Sequence, residues 1–144
     1  MKIIKYFFEF IFIYTLLIIF KIIGYKNASN FGAIIGKKIG PLFRSNTKIQ
    51  SNLSNSNIGI SQEDRKSIIE NMWSNYGRIL SEYVYLKKFR NNDLNQFIEI
   101  EGLNYLYEIK NNNEQAVFIS GHFNNFELMA MEIEKAGIDL CAIY

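Results

Sequence analysis

Four residue types occur only once in the 144-residue chain, which has one cysteine, one histidine, one proline and one tryptophan. The lone cysteine, Cys141, excludes an intrachain disulfide, and within an apolar segment we expect it to be a buried thiol. One histidine and one cysteine are too few for a zinc site, which needs three or four protein ligands, so we predict no bound metal. The formal net charge of +2 is uninformative by itself, and we expect no nucleic-acid partner.

A long apolar segment begins the chain, at residues 6–25, and only Glu9 and Lys21 interrupt it. About twenty such residues suffice to span a bilayer, so we predict a membrane anchor helix over residues 1–26. No small-x-small cleavage site follows, which favours a retained anchor over a signal peptide, with an interfacial or buried helix as the alternative. The lysines that flank the segment place the body of the protein on the cytoplasmic side.

Residues 27–94 form a predicted helical, membrane-proximal region. Residues 28–43 have apolar side chains on one side and Lys37 and Lys38 beside them, which indicates a helix that lies on the membrane surface or packs on a protein core. Pro41 ends this helix, and polar residues 46–57 form a connector or a short helix.

A long helix is predicted from Ser61, which begins a sequence resembling a capping box, to about Phe89. Its apolar stripe, which includes Trp73, is typical of a core. Lys87, Lys88 and Arg90 at its end complement the helix dipole or contact an acidic protein partner.

The pattern of residues 95–144 predicts an α/β arrangement. Residues 97–100 suggest a strand and residues 103–109 a short helix. Residues 116–119 are an apolar run typical of a buried strand, residues 125–136 have a helical rhythm that ends at Gly137, and residues 138–144 are again apolar. This order predicts a right-handed β-α-β unit with parallel strands, whose sites lie at the carboxyl ends of the strands.

The only histidine, His122, follows the first strand of that unit, and Glu127 lies five positions later. On one continuous helix the two side chains would point about 140° apart, so the histidine belongs on the turn and the glutamate in the first helical turn. An imidazole that takes a proton near neutral pH, oriented by a carboxylate, is a general base. The alternative is an ordinary loop histidine and a helix N-terminal acid. No G-x-S-x-G element is present around Ser120, which argues against a serine hydrolase.

Gly121 to Glu127 reads Gly-His-Phe-Asn-Asn-Phe-Glu. With Gly102-Leu103 upstream and CAIY at the end, it resembles the lipid A biosynthesis acyltransferases, the lauroyl and myristoyl transferases of Gram-negative bacteria, whose block is Gly-His-Phe-Gly-Asn-Trp-Glu. Asn124 replaces a glycine and Phe126 a tryptophan. Asparagine tolerates the left-handed conformation best among non-glycine residues, so we expect the turn to be retained.

The resemblance implies an acyltransferase of the lysophospholipid-acyltransferase-like superfamily, with a glycerolphosphate-acyltransferase-like sheet of which residues 95–144 are the first part. It implies His122 as base and Glu127 as orienting acid, and substrate-binding roles for Phe123 and Asn125. The donor would be acyl-carrier protein and the acceptor a hydroxyl of a lipid A precursor, without a cofactor, at the bacterial inner membrane. Another glycolipid or lysophospholipid acceptor, or an inactive anchored fragment, is the alternative. Because the family has functional residues after the position of Tyr144, the first of them an arginine, we expect this chain to be the N-terminal portion of a longer enzyme.

Overall fold

The structure is a computed structural model that describes residues 2–56, 59–121 and 123–141. It divides into two compact units, Met1–Val84 and Tyr85–Tyr144. Each unit is built from helices.

A 3₁₀ turn, Tyr83–Tyr85, spans the boundary between the two units in the sequence. Apart from it, the described residues of the first unit form four α-helices and one 3₁₀ turn. They are α1 (Lys2–Ile23), α2 (Tyr25–Ile39), the 3₁₀ turn Gly40–Leu42, α3 (Asn46–Asn55) and α4 (Gln62–Glu82). Pro41 lies in the 3₁₀ turn, so the predicted end of the second helix is confirmed. The predicted cap of α4 is also confirmed, because the Ser61 hydroxyl accepts from the Asp64 N–H (3.1 Å) and donates to the Asp64 carboxylate (2.6 Å).

Helix α1 is long and apolar enough to cross a membrane, by length and composition. Its 22 residues extend about 33 Å, compared with a hydrocarbon core of about 30 Å. Most of its large apolar side chains are exposed, and Phe20, at 1% exposure, is its one buried residue among those described. Gly24, with φ +82°, separates α1 from α2.

Helices α2 and α4 approach each other closely because small residues line both. A Cβ built on Gly32 would lie 2.6 Å from Ser81 Oγ, and one built on Gly36 would lie 2.9 Å from Gly77 Cα. Such distances exclude any side chain larger than hydrogen without a shift of the helices. On α2 the small residues recur every four positions, at Ala28, Gly32, Gly36 and Gly40.

Polar side chains join the same two helices at one end of the crossing. Ser29, which is buried, donates to Glu82 (2.9 Å) and accepts from Arg78 (3.1 Å), and Arg78 also donates to Asn30 (2.9 Å). Burial, and then the negative charge of Glu82, raises the pKa of Tyr25 above its ordinary 10.0. The crossing therefore combines close backbone contact with satisfied buried polar groups.

Trp73 of α4 lies at the centre of the apolar core of this unit. It packs with Ile49 of α3 and Ile69 of α4, and its ring lies directly against Gly40. Its indole Nε1 is buried and makes no hydrogen bond with any described residue. The core is completed by Leu53 and Met72. The apolar stripe of the predicted long helix is thus a core at Ile69 and Trp73, as expected, whereas its later members Tyr76, Leu80 and Tyr83 are exposed.

The second unit contains three α-helices and a 3₁₀ turn. They are α5 (Leu86–Arg90), the turn Asn95–Phe97, α6 (Leu103–Asn112) and α7 (Glu127–Lys135). Phe89 of α5 is completely buried, and Met131 and Ile133 of α7 are nearly so. Arg90 joins α5 to α7 through two hydrogen bonds to the Glu134 carboxylate, of 3.0 and 2.9 Å.

The predicted α/β class is wrong, because residues 2–56, 59–121 and 123–141 contain no β-strand. The run at 116–119 has Val117 at 89% and Ile119 at 93% exposure, so it is not covered on both faces as a parallel strand requires. The predicted second strand, residues 138–144, forms no β-ladder at residues 138–141. Residues 142–144 lie outside the described residues. A single pair of parallel strands gains too few hydrogen bonds to form without further strands or covering helices. Cys141 is exposed, so its predicted burial is wrong for the same reason.

Candidate functional site

The predicted general base, His122, lies outside the described residues, and the site is therefore built from its neighbours on both sides. On the N-terminal side stand Ser120 and Gly121, and on the C-terminal side Phe123 and Asn124. The N–H of Phe123 donates to the carbonyl of Gly121 (2.8 Å), so the two neighbours of position 122 are joined directly.

Gly121 and Phe123 are also in close contact through the aromatic ring. A Cβ built on Gly121 would come within 2.8 Å of the Phe123 ring, so a larger residue at position 121 would displace the ring. This contact gives a steric reason for the glycine. The other side of Phe123 is open, because the residue is 83% exposed.

The turn continues through Asn124, which adopts φ +48°. This is the left-handed region, and the expectation that Asn124 replaces a glycine without loss of the turn is confirmed. Asn125, one residue later, is half-buried. Its carbonyl accepts from the N–H of Leu128 (3.2 Å), which begins the first turn of α7.

Glu127 is the first residue of α7 and is exposed. Its predicted place in the first helical turn is confirmed, and a carboxylate there is favoured by the partial positive charge of the helix N-terminus. The helix ends at Lys135, and Gly137 follows with φ +83°, as the sequence predicts. Phe126 occupies the N-cap position and makes no side-chain cap hydrogen bond.

Glu127 borders an open cleft of about 840 Å³ between α5 and α7. Lys87 and Arg90 of α5 and Glu134 of α7 provide its other charged groups. Arg90 holds the pKa of Glu134 below its ordinary 4.5, and Glu134 raises the pKa of Arg90, since each charge stabilises the other. The apolar part of the lining comprises Leu86, Ala130, Met131 and Leu140.

The pairing of Arg90 with Glu134 is a feature of the site that sequence reasoning missed. The two residues are 44 positions apart, and no periodic pattern relates them. Lys88, the third cation at this end, lies 5.6 Å from the centre of the Tyr85 ring, in the range of a cation–π contact. Two of the three predicted cations therefore have partners within this unit.

A second cavity, of about 550 Å³, has a mainly apolar lining that includes Phe97, Phe118 and Leu128. Leu128 follows Glu127 directly, and the lining does not include Glu127. The candidate carboxylate thus belongs to the charged cleft, while its neighbour in sequence faces apolar space. Within residues 2–56, 59–121 and 123–141, no three His, Cys, Asp or Glu side chains are grouped as metal ligands.

Comparison with known proteins identifies one family. The family model described as bacterial lipid A biosynthesis acyltransferase matches residues 1–144, the whole chain. No curated protein and no solved structure matches the chain significantly.

Proposed function

Since the chain belongs to the family of bacterial lipid A biosynthesis acyltransferases, we propose that it moves a fatty acyl group from acyl-carrier protein to a hydroxyl of a lipid A precursor. Family membership supports the general activity, acyl transfer in lipid A biosynthesis. The identity of the donor and of the acceptor is what we propose in addition. The observation that carries it is the family match over the whole chain, which includes Gly121 to Glu127.

In the proposed reaction, His122 takes the proton of the acceptor hydroxyl as that oxygen attacks the carbonyl carbon of the donor thioester. The tetrahedral intermediate collapses, the carbon–sulfur bond breaks, and the departing thiolate receives the proton from the imidazolium. Glu127 orients the imidazole and balances its positive charge. The proton has then passed from the acceptor hydroxyl to the thiolate, and the acyl group has passed from sulfur to oxygen, without a covalent acyl-enzyme.

Two observations support these roles. The left-handed Asn124 turns the chain between position 122 and α7, which is the change of direction that a base on a turn and an acid on a helix need. Glu127 is exposed and borders an open cleft, so it is accessible to a partner side chain and to substrate. Phe123, with its exposed ring, and Asn125, at the start of the helix, are the proposed substrate contacts.

The proposed location is the bacterial inner membrane, with the chain attached as a single-pass or peripheral protein. The length and apolar surface of α1 support this. An active site on the cytoplasmic side would meet acyl-carrier protein and a membrane-bound acceptor together.

A double-mutant cycle tests the proposed pair. In the full-length protein, His122→Ala should lower kcat/KM for acyl transfer by about 10²–10⁴-fold, the usual contribution of a general base. Glu127→Ala should also lower it, and the double variant should lose little more than His122→Ala, because the two residues act as a unit. Glu108→Gln, an exposed change on α6, is the matched control and should retain the parent activity.

Near-parent activity of His122→Ala would refute the proposed base. Fully multiplicative losses in the double variant would refute the proposed role of Glu127 while leaving His122 in place. The acceptor is tested separately, by mass spectrometry of lipid A from a strain that lacks the gene. Lipid A short of one acyl chain is expected, and unchanged lipid A with an altered phospholipid or other glycolipid would contradict the acceptor.

A further inference from the structure

The charge of one long segment is entirely of one sign. Between residues 10 and 62 there is no aspartate or glutamate, whereas six cations occur, at Lys21, Lys26, Lys37, Lys38, Arg44 and Lys48. Lys37 is paired with Glu70 of α4 (2.7 Å). Lys38 and Arg44 are exposed, and neither forms an ion pair with any described residue. This segment therefore presents positive charge that the described protein does not neutralise.

Helix α2 has a second face that α4 does not cover. At about 100° per residue, Phe31, Ile34 and Lys38 lie within about 60° of one another, on the side away from Gly32 and Gly36. Phe31 is 39% exposed and Ile34 54% exposed. One side of α2 thus packs on protein, while the other presents apolar side chains with a lysine.

The 3₁₀ turn after α2 extends this face into an apolar tip. Leu42 is 82% exposed and Phe43 83% exposed, and Arg44 follows them. The adjacent Gly40 is buried against Trp73, which fixes the base of the tip. Two large exposed apolar side chains therefore follow directly after a backbone position that is packed against the core.

The same face lies next to the C-terminal end of α1. Phe31 contacts Phe20 near the end of α1, with ring centres 6.0 Å apart in an edge-to-face arrangement. Exposed apolar side chains therefore occur on α1, at Phe31 and Ile34 of α2 and at Leu42 and Phe43, and the exposed cations Lys38 and Arg44 lie among them in the sequence. Apolar groups combined with Lys and Arg are the composition of segments that lie in the interface of an anionic bilayer.

We propose that the outer face of α2 and the Leu42–Phe43 tip form a second membrane contact, which inserts into the interface of an anionic bilayer beside α1. Leu42 and Phe43 enter the acyl boundary, and Lys38 and Arg44 bind lipid phosphates. The inference rests on the proposed membrane insertion of α1. A partner protein is less well matched, because the surface has no carboxylate and continues directly into the membrane helix.

Depth-dependent quenching of a fluorophore tests the contact. In full-length protein with Cys141→Ser, single cysteines at Phe12→Cys, Ile34→Cys, Leu42→Cys and Asn71→Cys carry a nitrobenzoxadiazole label. The protein is reconstituted in vesicles of phosphatidylethanolamine and phosphatidylglycerol that contain spin-labelled lipid. Labels at 12, 34 and 42 should be quenched, whereas the label at 71, exposed on α4, should not be.

The charge dependence provides a second readout. In the vesicles that contain phosphatidylglycerol, Lys38→Gln and Arg44→Gln should each lower the ratio of membrane-inserted to free Leu42–Phe43 tip by about fivefold. This ratio is measured from the quenching of the label at position 42. In phosphatidylcholine vesicles neither change should alter the quenching. Circular dichroism checks that each labelled variant is folded. The labels at positions 34 and 42 are in separate variants, so each position tests the contact independently.

Three results would overturn the contact. If the labels at positions 34 and 42 are quenched no more than the label at position 71, while the label at position 12 is quenched, the second contact is refuted and the α1 anchor is retained. Absence of quenching at 12 removes the anchor and the contact together. Quenching at 42 that rises with the ratio of protein to lipid assigns the surface to a second copy of the chain. The test of His122 is separate from all three results, because it measures acyl transfer and not membrane contact.

Discussion

Asn124 is the residue on which the shape of the candidate site most depends. Its φ of +48° redirects the chain between position 122 and the start of α7, so it determines where Glu127 stands. For most L-residues this conformation costs about 1–2 kcal/mol, and asparagine and glycine are the exceptions. Asparagine is therefore suited to this position in a way that most other side chains are not.

Substitution at position 124 should separate conformation from chemistry. Asn124→Gly should retain both stability and acyl transfer, because glycine adopts positive φ without strain. Asn124→Val should lower the free energy of unfolding by about 1–2 kcal/mol and reduce acyl transfer as well. Denaturant unfolding and kcat/KM for the two variants provide the comparison, and an active, stable valine variant would contradict the role of the turn.

The residues of the site that were predictable are those whose conformation is decided locally. Asn124, Glu127 and Gly137 follow from turn and helix-end preferences that act over a few positions. The Arg90 to Glu134 pair depends on how α5 meets α7, and such contacts between distant positions leave no periodic signal. His122 remains a prediction as the base.

Among the elements, the helices were predictable and the strands were not. The periodicity of α7 gave its position to within two residues at either end, and that of α4 gave its start, because helix hydrogen bonds are local. The predicted end near Phe89 is wrong, because α4 ends at Glu82 and a 3₁₀ turn, Tyr83–Tyr85, separates it from α5. An apolar run such as residues 116–119 gives no information about which strand would pair with it, since sheet hydrogen bonds join distant segments. The crossing of α2 and α4 likewise depends on facing residues, here Gly32 and Gly77, in separate helices.

The α2–α4 crossing should be sensitive to a single methyl group. In Gly77→Ala the new Cβ would meet the carbonyl of Gly32, and such overpacking typically costs about 1–3 kcal/mol. The better helix propensity of alanine offsets at most about 1 kcal/mol. We therefore expect a net loss of stability in thermal or denaturant unfolding. Gly59→Ala, where no atom lies within 4 Å of the new Cβ, is the control, and equal behaviour of the two variants would contradict the close crossing.

The link between α5 and α7 should weaken in acid. Because the pKa of Glu134 is lower in the folded protein than its ordinary 4.5, the pair stabilises the fold above pH 4.5 and is lost as pH falls through the lowered value. Glu134→Gln should be slightly less stable than the parent at neutral pH, and the difference should disappear in acid. The effect is small because both side chains are about half exposed.

Hydrogen exchange of the α7 amides, measured at neutral pH and well below pH 4.5, is the appropriate local readout. Arg90→Gln should cause the same loss of protection of the α7 amides at neutral pH, because it removes the other partner of the ion pair. Its difference from the parent should likewise disappear in acid. A difference that persists unchanged in acid would show that Glu134 acts by packing and not by charge.

At the scale of the whole molecule, the chain combines a helix suited to a bilayer with two compact helical units. The proposed attachment of the protein to a membrane depends first on α1, whose exposed apolar surface has no other cover among the described residues. The length and composition of this helix were readable from the sequence, because a membrane span is a property of one continuous segment.

Placing a charge at the middle of α1 should impair membrane insertion. Phe12→Arg introduces a cation near the centre of the 22-residue helix, where translocon measurements assign about 2.5–3.5 kcal/mol to such a residue. We expect a reduced fraction of protein that resists carbonate extraction. Lys21→Arg, which retains charge near the end of the helix, should behave as the parent, and full resistance of Phe12→Arg would contradict a spanning α1.

The position of Trp73 gives the molecule an internal optical reporter. It is the only tryptophan in the chain, and it stands where α2, α3 and α4 meet, with its ring against the backbone of Gly40. Its intrinsic emission therefore records the solvent environment of that one junction. Separation of α2 from α4 would expose the indole ring to water and shift the emission to longer wavelength.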